Sequence, residues 1–506
     1  MDCRHRFIRR AFLVTVVLAF CCVLSSAVFS ASLKEGVDFY KKGKIDDAIA
    51  TITTVVQEHP KDANARRWLG FLLLSKLRYA DGLAQLQAAR DLKADGAELR
   101  NNIGMAYLGL NQPDKAIPEL EQAITMRKKW AEPQYNLANA YYRTHQLDKA
   151  ITAYREAAKI APKDRAVMNN LALALQDAGK LDEAIATFKK AVDLDPKDTM
   201  VTGLAPQTPE ICINLGLALK SKGDLPEASA AFDKALAAEP NNYTARIALA
   251  EVMALAGRDA DSLAQYEAAT KLRPDEPAPQ YNVGVLYSKM GKFSSAVDAF
   301  QAVLKTNPSD SEAKAYLGWA QFKTGNAADG VSNLEQALKS NPQLLSGWLN
   351  LATIYTIQGK APEATAAWET VIRLDPKNLA ASINLGNLYL QAGQTDKALA
   401  SYQAASKIDS KSAAAYFGIG SAYSKLGKTD QAIVQYKKAI DANPQMAAAY
   451  NNLGVELEKQ NKVEEAKAQY RKALQVDPKN EDAKKNLDRF EKPAPKPTVP
   501  VGGPTS

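Results

Sequence analysis

Cysteine and histidine are nearly missing from this 506-residue chain, with four and three copies. All the cysteines except Cys212 fall within the first 30 residues, so no intramolecular disulfide can form beyond them. His5 belongs to the same leading segment, His59 precedes Pro60, and His145 falls in a turn between two predicted helices. Neither His59 nor His145 has Cys, Asp or Glu neighbours at metal-ligand spacing, so both read as solvated turn residues. No metal and no cofactor is expected. Charge of one sign is scarce as well. The formal net charge of +8 falls to +5 without residues 1–30, which hold four Arg and one Asp. That is mild for the length and argues against nucleic acid as the main partner. A phosphate-binding glycine loop is lacking too: Ala422-Tyr423-Ser424-Lys425-Leu426-Gly427-Lys428-Thr429 ends like one, but Ala422 stands where the first Gly is required. The triplet Asn242-Tyr243-Thr244 matches a glycosylation sequon, a pattern that arises readily by chance. With no constellation for chemistry, the chain reads as non-enzymatic.

What the chain has in abundance is a 34-residue period. A Gly or Ala recurs in one phase thirteen times, at Gly36, Gly70, Gly104, Ala138 and Ala172 and then, after a 10-residue insertion, from Gly216 through to Gly454. A second small residue follows each by twelve positions, from Ala48 to Ala466. Residues 379–412 show the unit. The segment Ile383-Asn384-Leu385-Gly386-Asn387-Leu388-Tyr389 has apolar residues at helical spacing, and Ala392-Gly393-Gln394 breaks it. A second periodic segment opens at Asp396, an acid suited to the first turn of a helix. Pairs such as Asp375-Pro376 stop the second helix. Each unit is therefore a helix–turn–helix whose small residues let the two helices approach. One unit cannot bury its apolar faces alone, so neighbours must stack. Residues 63–130 are the least regular stretch, and Pro118 inside a second helix is expected to bend it.

These units resemble the tetratricopeptide repeat family. Residues 413–446 supply Gly420, Tyr423, Ala432, Tyr436, Ala439 and Pro444 at the family's offsets. Residues 131–164 supply Leu137, Ala138, Tyr141, Ala150, Tyr154, Ala157 and Pro162. The resemblance implies an all-α, right-handed superhelical solenoid of antiparallel helix pairs, with five repeats in residues 31–198 and eight in 209–480. Residues 199–208 form an insertion loop between the blocks, 481–491 a capping helix, and 492–506 a Pro-rich tail without fixed structure.

The resemblance also implies that first helices line a groove. Two residues before the in-phase small residue stand Asn102, Asn136, Asn170, Asn214, Asn282, Asn350, Asn384 and Asn452. A row of amides there either grips the backbone of an extended peptide or bonds within the scaffold. Tyr135, Tyr281 and Phe417, one residue earlier, and Trp319, one residue after the small position, supply aromatic contact. Arg143, Lys289, Lys323, Lys425 and Lys459 share an offset near the end of the first helix and read as a basic edge or a solvated face. The family's clamp for chaperone C-termini needs Lys and Asn four apart on a first helix. The nearest start here, Arg67, is followed by Phe71, so chaperone tails are not expected.

The first 30 residues carry Arg4, Arg6, Arg9 and Arg10, then an apolar run from Ala11 to Leu24, then Ser25, Ser26 and Ala27. That is the layout of a secretory signal peptide; an anchor at residues 11–29 is the alternative. The expectation is thus an exported scaffold, periplasmic or extracellular, that binds peptide segments or partner proteins of unknown identity in envelope assembly or secretion. Two alternatives remain: a substrate-recruiting accessory of a separate enzyme such as a protein glycosyltransferase, and a membrane-anchored assembly factor.

Overall fold

The computed structural model describes residues 32–194 and 208–491. The expected leader, all but Thr208 of the insertion, and the Pro-rich tail lie outside the described residues. Among the described residues there are 27 helices and no strand. None of these helices is long and apolar enough to cross a membrane. Two compact units divide the chain, one ending at Ser262 and one beginning at Leu263. In each, helices alternate as first and second members of the 34-residue repeats, from α1 (Leu33–Lys41) and α2 (Ile45–Glu58) to α25 (Ala447–Lys459) and α26 (Val463–Val476).

The small residues of the sequence are the holes of the packing. In nine repeats the in-phase residue is Gly, and a Cβ there would collide with the next helix of its own repeat. At Gly284 it would lie 2.8 Å from a carbon of Phe300, and at Gly420 2.8 Å from one of Tyr436. The colliding side chain sits sixteen residues later, and residues at this offset (Ile52, Leu86, Phe188, Phe232, Tyr470) are buried throughout. Burying such a side chain contributes about 1.5–3 kcal/mol, which one helix pair could not gather without a gap at the small residue opposite. The turn inside each repeat is equally regular. Backbone of positive φ recurs at the same phase in all thirteen, supplied nine times by Gly and otherwise by Leu77, Asn111, His145 and Asn461. Gly427, the last of these glycines, has φ +71 and closes a helix. The phosphate-loop-like run is therefore an ordinary repeat turn.

Seven first helices open on side-chain caps. Asp62 accepts from the backbone N–H of Asn64 and Ala65, and Asp164, Asp310, Asn378 and Ser412 act alike. Asn242 of the sequon is one of these caps, accepting from Ala245 at 2.9 Å. Pro118 lies on the exposed side of α6 (Pro113–Met126), which continues through it. Cys212 is fully buried in the core of the first unit, where burial pushes its thiol up from the ordinary value. Arg165, 1% exposed, donates to the carbonyl of Ala191 and to the Thr208 hydroxyl, joining the helices on either side of the insertion. At the C-terminus α27 (Glu481–Glu491) packs on α26, burying Ala483 and Leu487 and turning Lys484 and Lys485 outward.

Candidate peptide-binding face

In the first unit α3 (Ala63–Ser75), α5 (Ala97–Gly109) and α7 (Ala131–Arg143) touch in succession, although a second helix separates each pair in the chain. In the second unit α21 (Leu379–Gln391), α23 (Ala413–Lys425) and α25 do the same. Successive second helices make no comparable contact. Elements that crowd together lie on the inner side of a curve, so within each unit the first helices line the concave face.

All eight ladder asparagines are on first helices, and all but Asn136 keep part of their surface exposed. Their hydrogen bonds split them into two sets. Asn136 donates to Asn101 at 3.0 Å, Asn170 to the Tyr135 hydroxyl at 2.8 Å, Asn214 to Asn169 at 3.1 Å, and Asn452 to the Tyr436 hydroxyl at 3.5 Å. Among the described residues Asn102, Asn282, Asn350 and Asn384 have no side-chain hydrogen bond. The bonded case at Asn452 has a local cause. Its partner Tyr436 is the buried side chain sixteen residues earlier, and it offers a hydroxyl. The equivalent residues before Asn102, Asn350 and Asn384 are Leu86, Leu334 and Trp368, which offer no acceptor. Asn282 is unbonded although Tyr266 holds that offset, so the cause covers three of the four. The sequence reading omitted a second row of amides, Asn101, Asn169 and Asn451, each directly before a ladder residue. Asn101 and Asn451 receive bonds from Asn136 and from Asn486 of α27. The signal that marks this row is the Asn-Asn doublet at 101–102, 169–170 and 451–452.

The aromatic candidates are half-buried and knit into the core by one edge. Tyr135 lies 5.9 Å from Tyr154, Phe417 5.7 Å from Tyr436, and Trp319 5.9 Å from Phe322. Tyr281 meets Phe300 and Tyr316 edge-on, each at 5.8 Å, and burial holds its hydroxyl well above the ordinary phenol range. Burial likewise raises Tyr135. At the basic offset, Arg143 donates to the Leu108 carbonyl at 2.6 Å and Lys425 to the Leu390 carbonyl at 2.8 Å. Each cation thus adds a second donor to a last-turn carbonyl of the preceding first helix, which already accepts from the backbone N–H of Asn111 or Gly393. Arg143 and Lys425 are struts between repeats, while Lys323 lies over the Trp319 and Phe293 rings and Lys459 pairs with Glu456. Among the described residues no group of three His, Cys, Asp or Glu is placed to hold a metal ion.

Comparison with known proteins places this architecture. Tetratricopeptide repeat family models match residues 33–97, 135–199 and 213–277, and another matches 97–129. The model described as the cilia and flagella-associated protein 70 C-terminal domain matches residues 277–489. A comparison with curated protein sequences finds no match. Similar solved structures include YrrB, described as a TPR protein with an unusual peptide-binding site. It is 20% identical, with 38% of this chain and 98% of that one covered and a TM-score of 0.35. The APC/C hetero-tetramer Cut9–Hcn1 is 16% identical over 90% of this chain and 95% of that one, with a TM-score of 0.37. A tetratricopeptide repeat protein from Parabacteroides merdae is 20% identical over 50% and 100%, with a TM-score of 0.39. These three are likenesses only; the matched family models cover the chain from residue 33 to residue 489 with short gaps. The chain belongs to the tetratricopeptide repeat family.

Proposed function

We infer that this protein is a non-enzymatic scaffold that holds extended peptide segments, or partner proteins presenting them, along its first-helix face, in envelope assembly or secretion. Tetratricopeptide repeat proteins are interaction scaffolds that bind peptides or proteins. The observation that carries the reading here is the set of unbonded, part-exposed amides at Asn282, Asn350 and Asn384. Each offers two donors and an acceptor beside apolar side chains, which suits a peptide backbone and leaves sequence unread. The bonded amides would have to exchange one partner for another and add little.

The test is selection of binders from a displayed peptide library with the full chain. Replacing Asn282, Asn350 and Asn384 together by Ala should weaken the selected peptides at least about tenfold, while Gln336, Gln403 and Lys437→Ala on second helices should leave them unchanged. Equal binding by both variants would overturn the reading. Export rests on the Arg-rich start, the apolar run and the small residues of 1–30. It is checked by the mature N-terminus, expected after Ala27 or Ser30.

A further inference from the structure

The first unit has a cleft of about 310 Å³ on its first-helix face, lined by residues of the first four repeats. Tyr40, Trp68 and Phe71 form a three-ring cluster on one side, with centroids 5.5–5.9 Å apart and the rings steeply inclined to one another. Trp130 lines the cleft as well, with the Arg127 guanidinium 5.0 Å over its ring. Two carboxylates line it, and their situations differ. Glu98 receives one guanidinium on each oxygen, Arg67 at 3.3 Å and Arg127 at 3.6 Å. Glu132 has no cationic partner among the described residues. Its hydrogen bond comes from the buried Asn101 amide, at 2.9 Å, and Asn136 holds Asn101 in turn. That chain fixes the Glu132 carboxylate, half-buried, at an aromatic wall. Lys128 and Lys129, next along the loop, are exposed and do not line the cleft. Asn64 and Asn102, which do line it, have unbonded side chains.

We propose that this cleft is a subsite for a cationic side chain, Lys or Arg, of a bound peptide. The aliphatic stem lies along the Trp68 and Trp130 rings, the ammonium or guanidinium pairs with Glu132, and the Asn64 and Asn102 amides take the peptide backbone. An unpaired, partly desolvated carboxylate gains a counter-ion it lacks in the free protein, and aromatic faces attract the same charge. The volume is at the lower end for small-ligand pockets, enough for one long side chain and its flanking backbone.

The proposal rests on the peptide-binding reading above, and its test separates the two. Four capped pentapeptides, alanine except for a central Lys, Arg, norleucine or Glu, are titrated into the full chain by calorimetry. The Lys and Arg peptides should bind at least about tenfold more tightly than the norleucine peptide, and the Glu peptide more weakly still. Glu132→Gln keeps an acceptor for Asn101 and so keeps the fold. It should bring the Lys and norleucine peptides to equal affinity, with an unchanged circular dichroism spectrum. Trp130→Ala should weaken both. Equal or tighter binding of the norleucine or Glu peptide, an unchanged Lys preference in Glu132→Gln, or no binding at all would overturn the cationic subsite. If library peptides still depend on Asn282, Asn350 and Asn384 in that case, the scaffold reading stands without it; if neither binds, both fall.

Discussion

Replacing Tyr402 by Ala should cost the eleventh repeat about 3–5 kcal/mol. The ring is 1% exposed, and it is wedged between two first helices. Its carbons lie 2.6 Å from where a Cβ on Gly386 would stand and 2.4 Å from that place on Gly418. Removing the ring leaves a cavity that can close only if one of those helices shifts. The hydroxyl, donated to Asn387 at 2.6 Å, contributes a further share of about 0.5–1.5 kcal/mol that Tyr402→Phe isolates. The sharper part concerns Gly386→Ala. With Tyr402 in place the added methyl group overpacks the site at about 1–3 kcal/mol, offset by the roughly 0.8–1 kcal/mol that Ala gains over Gly in a helix. With Ala at position 402 the obstacle is gone, and the same change should be neutral or stabilising by up to about 1 kcal/mol. The two positions should therefore couple by about 1–3 kcal/mol. A long repeat array need not unfold in one step. The readout is accordingly the local opening energy of residues 379–408 in the full chain, from native-state hydrogen exchange. Gly386→Ala with the same effect in both backgrounds would refute the knob-and-hole account.

Two further outcomes follow from the turns and the tyrosines. Leu77 sits at φ +60 with 67% of its surface exposed, so Leu77→Gly should stabilise the second repeat by about 1 kcal/mol. Gly359→Ala, in open space at φ +70, should cost a similar amount by strain alone; hydrogen exchange of the two repeats checks both signs. Tyr141, Tyr355 and Tyr389 each donate to a glutamate twenty residues earlier, and burial first, then that carboxylate, pushes their hydroxyls up to about 12. The folded state then holds more protons than the unfolded one between about pH 10 and 12, so stability should be intact below that window and fall through it. Denaturant midpoints measured across that range, with phenolate absorbance, test it; phenolate formation with a single midpoint near 10 would contradict it.

Most of the scaffold was legible because its determinants are local and repeated. Gly386 and Tyr402 stand sixteen residues apart in one repeat, and the turn at Gly393 announces itself by residue type. The struts were not legible in the same way. Arg143 bonds a backbone carbonyl in the preceding repeat, and a carbonyl leaves no mark in a sequence. The ladder was visible as a row, yet its division was not, because the partner of Asn452 is set by Tyr436 in the repeat before. The Trp68–Trp130 cleft draws on Tyr40 and on residues 64–132, almost the same stretch that looks least regular. Departure from the repeat pattern there coincides with a built cavity.

Tyr402 meets glycines sixteen residues before and sixteen residues after it, and Tyr436 has the same symmetry between Gly420 and Asn452. Both neighbours are in phase while the spacing is conserved at one whole period. Duplicating or excising 34 residues would keep this phase at every surviving junction, although the residue sixteen after the ring differs between repeats, as Gly418 and Asn452 do. A change of another length inside a helix would lose that phase, whereas the 10-residue insertion between repeats keeps it, with Asn214 still bonded to Asn169. At the off-period insertion a buried side chain, Arg165, reaches both Ala191 and Thr208 and so ties the helices on its two sides together.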